Sequence, residues 1–133
     1  MKQLTKEWLK AAGDDLIAIE SLIDNPILTN IVAFHSQQAI EKSMKAVIEE
    51  FDIPFIRTHS IQTLFLKIEG IISFSVNELI FSELDRLYLD SRYPGDFGLM
   101  PFGKPTLEEA EMYFQEALKL KNQVEAFLTE QRN

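Results

Sequence analysis

Through most of this chain apolar residues recur at spacings of three and four, and no convincing run alternates apolar and polar residues at a spacing of two. A helix turns every 3.6 residues or so and a strand alternates every two, so the pattern admits a helical bundle and leaves no sheet. From Thr5 to Ile23 the stripe is Trp8, Ala12, Leu16, Ile19 and Ile23. Asn25-Pro26 ends it, because the residue before a proline is pushed out of helical geometry. The second segment opens at Thr29, a candidate N-cap, and carries Phe34, Gln37, Ile40, Met44, Val47, Ile48 and Phe51 on one side. Beyond Asp52 to Pro54 the connection runs to His59. Ser60 then caps a short segment with Ile61, Leu64, Phe65 and Ile68 inward, and Gly70 is its expected stop.

Two capping boxes, Ser75 with Glu78 and Thr106 with Glu109, open the remaining helices. Between them the stretch from Arg92 to Pro105 holds six of the chain's ten Gly and Pro residues, which makes it a loop. Ile71 to Ser75 is read as loop too. The prediction is an all-α, up-and-down bundle of about five helices in one domain over 1–133, with helices near 5–24, 29–51, 60–69, 76–91 and 106–129. The two long early helices pair antiparallel and the last lies along them.

Composition narrows the function classes. The 133 residues include no cysteine, which removes disulfides, thiol nucleophiles and thiolate metal sites. With no apolar run of signal-peptide or membrane-span length, a cytoplasmic protein with no membrane partner is expected. A formal charge of −8 repels phosphate backbones, so DNA is not expected as a partner, and binding of RNA or a nucleotide requires a local basic place.

Three groups of residues could form such a place. On the second helix His35, Gln38 and Lys42 fall on one ridge beside the apolar stripe, and Gln37 lies within the stripe, where its amide must bond another element or a second subunit. The plain alternative is a solvated polar face with a Glu41 to Lys45 helix pair. At the end of the fourth helix Tyr88 and Arg92 share a face; they suit either one anionic ligand or a simple cap by Arg92. Arg57 and His59 stand on the loop between helices two and three. No metal site and no cofactor are expected, because Glu108, Glu109 and Glu111 have no histidine nearby and no phosphate-binding glycine pattern occurs in the right context.

Four blocks, Trp8 to Leu16, Phe34 to Lys42 with Lys45-Ala46, Thr58-His59-Ser60, and Ser91-Arg92-Tyr93-Pro94, together resemble the HEPN domain, a nucleotide-binding domain of higher eukaryotes and prokaryotes, over residues 5 to about 128. The resemblance implies a helical bundle that forms a homodimer, often beside a minimal nucleotidyltransferase subunit in a toxin–antitoxin or substrate-binding complex. It implies Tyr93 and Pro94, with Gln37 and Gln38, as interface or structural residues. Many relatives are metal-independent ribonucleases with a histidine five to seven positions after an arginine. If Arg92 is that arginine, the histidine falls at 97, 98 or 99, and this chain has Phe97, Gly98 and Leu99 there.

The expectation is therefore a non-catalytic protein that binds a nucleotide or an RNA phosphate through Arg92, Tyr88, His35, Lys42, Arg57 and His59. The alternatives are a divergent ribonuclease in which His35 or His59 meets Arg92 through space, and a purely dimeric assembly module. Gln37 in the stripe, with Phe97 and Phe102 in the loop, argues for the homodimer.

Overall fold

A computed structural model describes residues 1–73, 75–92 and 103–130, and of residues 91 and 92 the backbone alone. Five helices follow in order: α1 (Gln3–Leu22), α2 (Thr29–Glu50), α3 (Ile61–Ile68), α4 (Glu78–Arg92) and α5 (Leu107–Glu130). No strand occurs among the described residues, and 71–73 are turn and loop. The boundaries differ from the periodicity reading by one or two residues.

The second helix is the axis of the bundle, touching each of the other four. It can do so because it is apolar on more than one side: Val32, Ala33, Ala39, Ile40, Met44, Ala46 and Val47 are all buried. The first helix runs antiparallel to it. Lys2 at the start of α1 bonds the Glu49 carbonyl and the Glu50 side chain at the end of α2, and Leu9, Ala12, Leu16 and Ile19 close the seam. The last helix runs alongside α2 in the same direction. Phe127 stacks on Phe51 at one end, with ring centroids 5.9 Å apart, and at the other Lys104 reaches the Ile27 carbonyl at 2.8 Å.

Local capping signals are kept where nothing outside the helix competes. Thr106 and Glu109 exchange bonds of 3.0 and 2.9 Å, and the Ser60 hydroxyl accepts from Thr63 N–H at 3.2 Å. Three others are overturned. Thr29 is not a cap: the chain enters α2 through a turn at Asn25, the Leu28 carbonyl takes Ile31 and Val32 N–H, and the buried Thr29 hydroxyl has no partner among the described residues. Ser75 does not form a box with Glu78. Glu116 of α5 grips Asn77 N–H at 2.9 Å and so sets Asn77 as the cap, its side chain accepting from Ile80 N–H at 3.0 Å. Gly70 is not a left-handed stop, because α3 ends at Ile68 in a right-handed turn in which the Ile68 carbonyl takes Ile71 and Ile72 N–H.

The α1–α2 junction carries a pH dependence. Glu50 accepts from Lys2 N–H and from the Thr5 hydroxyl, each at 2.9 Å. The Lys2 bond is the main reason its carboxyl is held below the ordinary value. A carboxyl lowered in the folded state stabilises above its unfolded pKa and loses that contribution as pH falls through the folded one. Glu50→Gln should therefore be less stable than wild type near about pH 7, and the gap should be smaller at about pH 3, below the ordinary glutamate value. Urea unfolding at the two pH values measures it, and a gap that stays constant would mean that the carboxylate charge contributes nothing.

Candidate functional site

The polar residues of α2 are held from two sides. From α1, Asp15, only 7% exposed, accepts Lys42 Nζ on one oxygen at 2.8 Å and faces His35 Nδ1 with the other at 2.8 Å. His35 and Lys42, seven residues apart on one ridge, are thus brought together, and both are engaged by a carboxylate. A nearly buried carboxylate must be paired, since leaving it alone costs several kcal/mol; Asp15 is the anion that the Lys42 ridge was built to meet. Asp15 was missed as a site residue in the sequence, where it stands 20 residues from His35.

On the other side of α2, Gln37 is fully buried. Its amide nitrogen donates to the His59 carbonyl at 2.6 Å and to Glu41 Oε1 at 3.1 Å, and its oxygen accepts from Gln38 Nε2 at 2.8 Å. The amide bonds another element within the chain, so Gln37 and Gln38 act structurally and Gln37 supplies no argument for a second subunit. Glu41, 3% exposed, also receives Lys45 Nζ at 2.8 Å, the helix pair expected from the sequence. The His59 ring nitrogen Nδ1 lies 3.3 Å from both Glu41 oxygens.

That loop residue is 56% exposed and forms one wall of a cleft of about 380 Å³ lined by Thr58, His59, Ser60, Gln62, Asp85, Tyr88 and Leu89. α4 lines the same cleft. Tyr88, 6% exposed, stacks on Phe34 of α2 with centroids 5.9 Å apart and an interplanar angle of 14°, and on its cleft side meets the His59 ring at 5.4 Å. His35 makes an edge contact with the Phe34 ring at 5.4 Å.

Asp85 lines the cleft but is turned to structural use. Its carboxylate accepts Ile61 N–H at 2.9 Å, Gln62 N–H at 3.2 Å and the Ser60 hydroxyl at 2.9 Å, so α4 caps the start of α3. This satisfies orphan donors of the first turn and puts a negative charge at the favourable end of the α3 dipole. The Thr58 hydroxyl accepts Ser60 N–H at 3.0 Å, which fixes the loop that presents His59. Leu89 is 55% exposed and leaves an apolar rim. Gln62, Asp85 and Leu89 escaped the sequence reading: an exposed leucine straight after Tyr88 was the available signal, whereas nothing local shows that α3 docks on α4.

Arg57 is exposed two residues before His59. Arg92 closes α4 one turn beyond Tyr88, and its side chain, with Tyr93, Pro94, Phe97 and Phe102, lies outside the described residues. Of the six expected ligand residues the fold therefore gathers His59 and Tyr88 into one cleft, with the backbone of Arg92 one turn away, and assigns His35 and Lys42 to Asp15.

The fold and its polar seam define a class, the small all-α bundle built around a central second helix. Within that class the chain belongs to the HEPN domain family, whose model matches residues 5–129. It is also similar to the crystal structure of an archaeal HEPN homologue, at 25% identity, 95% coverage of this chain, 98% coverage of that one and a TM-score of 0.68. No curated protein matches the chain. No helix among the described residues is long and apolar enough to cross a membrane.

Proposed function

We propose that this HEPN protein is non-catalytic, that it holds a nucleotide or an RNA phosphate in the cleft lined by His59 and Tyr88, and that it acts as a homodimer beside a minimal nucleotidyltransferase subunit, in the manner of a toxin–antitoxin pair. The observation that carries this reading is the cleft itself. Its volume of about 380 Å³ suits a small-molecule site. One wall is the His59–Tyr88 pair, the rim is Leu89, and Thr58 and Gln62 offer polar groups to the edge of a planar base. Phosphate falls to Arg57 and Arg92, one on each side in sequence, which supply the local positive charge that a chain of net charge −8 needs for an anionic ligand. The same acidity favours a basic partner subunit.

Titration of the purified protein with the four common ribonucleoside monophosphates tests the reading. One site per chain should saturate, His59→Ala should weaken it, and generic RNA should stay intact, because no histidine stands at 97 to 99. Absence of binding to all four would sink the proposal and leave the assembly module in its place.

A second reading is favoured by one contact. The His59 ring lies against Tyr88, one turn before Arg92, so a divergent ribonuclease would pair His59 with Arg92 through space, whereas His35 is held by Asp15. EDTA-resistant cleavage of RNA, lost in both Arg92→Ala and His59→Ala, would replace the binding protein by that enzyme.

A further inference from the structure

Glu41 collects donors from three residues: Gln37 on Oε1, Lys45 on Oε2, and His59 Nδ1 shared between the two oxygens. An ionised carboxylate only accepts hydrogen bonds, so the hydrogen between it and His59 belongs to Nδ1. A neutral imidazole carries one ring proton, and which nitrogen holds it is set by the bond the ring makes. Nε2, the ring nitrogen that Glu41 does not engage, is then an acceptor on a residue that lines the cleft. The other acceptors there are largely taken. Asp85 faces the start of α3 and the Ser60 hydroxyl donates to it.

We propose that Glu41 is the positioning residue of this cleft: by fixing the His59 proton on Nδ1 it makes Nε2 the acceptor for a hydrogen-bond donor on the bound ligand. This rests on the nucleotide reading and deepens it. A nucleotide brings donors of two kinds, the ribose hydroxyls and the exocyclic amine of the base, and the shared requirement is an N–H or O–H aimed at Nε2.

Two-bond 1H–15N correlation spectra at about pH 8.5, above the ordinary imidazole pKa, read the tautomer directly. The chain has two histidines, and both should carry the proton on Nδ1, since Asp15 holds His35 in the same way. In Glu41→Gln one of the two oxygens becomes an NH2 group. Lys45 and Gln37 then compete for the remaining oxygen, the new amide donates to His59, and the His59 proton moves to Nε2 while His35 is unchanged. Titration with AMP, with its 2′-deoxy and 3′-deoxy forms and with purine ribonucleoside monophosphate separates the donors. Wild type should bind one of the three analogues roughly tenfold more weakly than AMP, the worth of one good hydrogen bond, and Glu41→Gln should bind all four alike.

An Nε2 proton on His59 in the wild type overturns the proposal, and so does equal wild-type affinity for the four probes. Equal affinities with tight AMP binding would leave the nucleotide reading standing. Failure to bind AMP would remove the ligand half of the proposal, while an Nδ1 proton on His59 would still uphold the positioning by Glu41.

Discussion

Asp85→Ala should destabilise the protein by about 1.5–3 kcal/mol, the range for hydrogen bonds to a charged group, and should open the cleft at the same time. Three donors converge on this one carboxylate: Ile61 N–H, Gln62 N–H and the Ser60 hydroxyl. Removing it leaves the first turn of an eight-residue helix with only the Ser60 side chain as cap. So short a helix has no stability of its own and persists by what it docks on. Ser60→Ala is the informative comparison. It removes the bond to Thr63 N–H but leaves the carboxylate on the two backbone donors, and should cost about 1 kcal/mol, as N-cap losses typically do. Chemical denaturation ranks the two variants, and hydrogen exchange of the α3 amides locates the loss. If Asp85→Ala proves no worse than Ser60→Ala, the carboxylate adds nothing to the hydroxyl cap, and α4 does not hold the wall that carries His59.

The contrast between Ser60 and Asp85 also marks what could be read from the sequence. Ser60, Thr106 and Glu109 were legible because a cap acts on its own first turn, within three residues. Thr29 and Ser75 looked equally good by that rule and lost: a local turn from Asn25 hands the Leu28 carbonyl to α2, and across the bundle Glu116, 39 residues away, takes Asn77 N–H. Helices were legible for a similar reason, since the stripe of α5 from Ala110 to Val124 is buried as its spacing requires.

The candidate site follows the same division. His59 could be named because the Thr58-His59-Ser60 block is distinctive and Tyr88 because it shares a helix face with Arg92, and the Glu41 to Lys45 pair follows from one turn of helix. Gln37 announced a need for partners, but its main acceptor is a backbone carbonyl, His59 O, which no residue pattern reveals. Asp15 and Asp85 remained hidden because each acts on residues 20 to 27 positions away. An aspartate on a helix surface looks like solvated charge until its neighbour across the seam is known. That is why His35 and Lys42, engaged by Asp15, looked in the sequence like groups still waiting for a ligand.

Arg92→Lys should weaken nucleotide binding by about 1–3 kcal/mol, the range for a charge-assisted hydrogen bond, whereas Lys121→Ala should leave it almost unchanged. The substitution keeps the positive charge and removes the fork. A guanidinium offers paired N–H groups in the spacing of two phosphate oxygens, while an ammonium offers a hydrated point charge on a flexible stem. Arg92 stands in the last turn of α4, one turn beyond the tyrosine that walls the cleft, so its backbone is placed by a helix that Asp85 anchors on α3 and Tyr88 on α2. Lys121 lies on α5, is paired with Glu125, and lines no part of the cleft. If binding were a matter of diffuse field, the two changes would weigh against each other by charge alone: Lys121→Ala, which removes a charge, would cost more than Arg92→Lys, which removes none. Calorimetric titration of both variants at two salt concentrations decides between the cases, since screening erodes a diffuse attraction far more than a short bidentate contact. A larger loss in Lys121→Ala than in Arg92→Lys would assign the binding to general electrostatics, and undiminished affinity in Arg92→Lys would reduce Arg92 to a charge at the end of a helix.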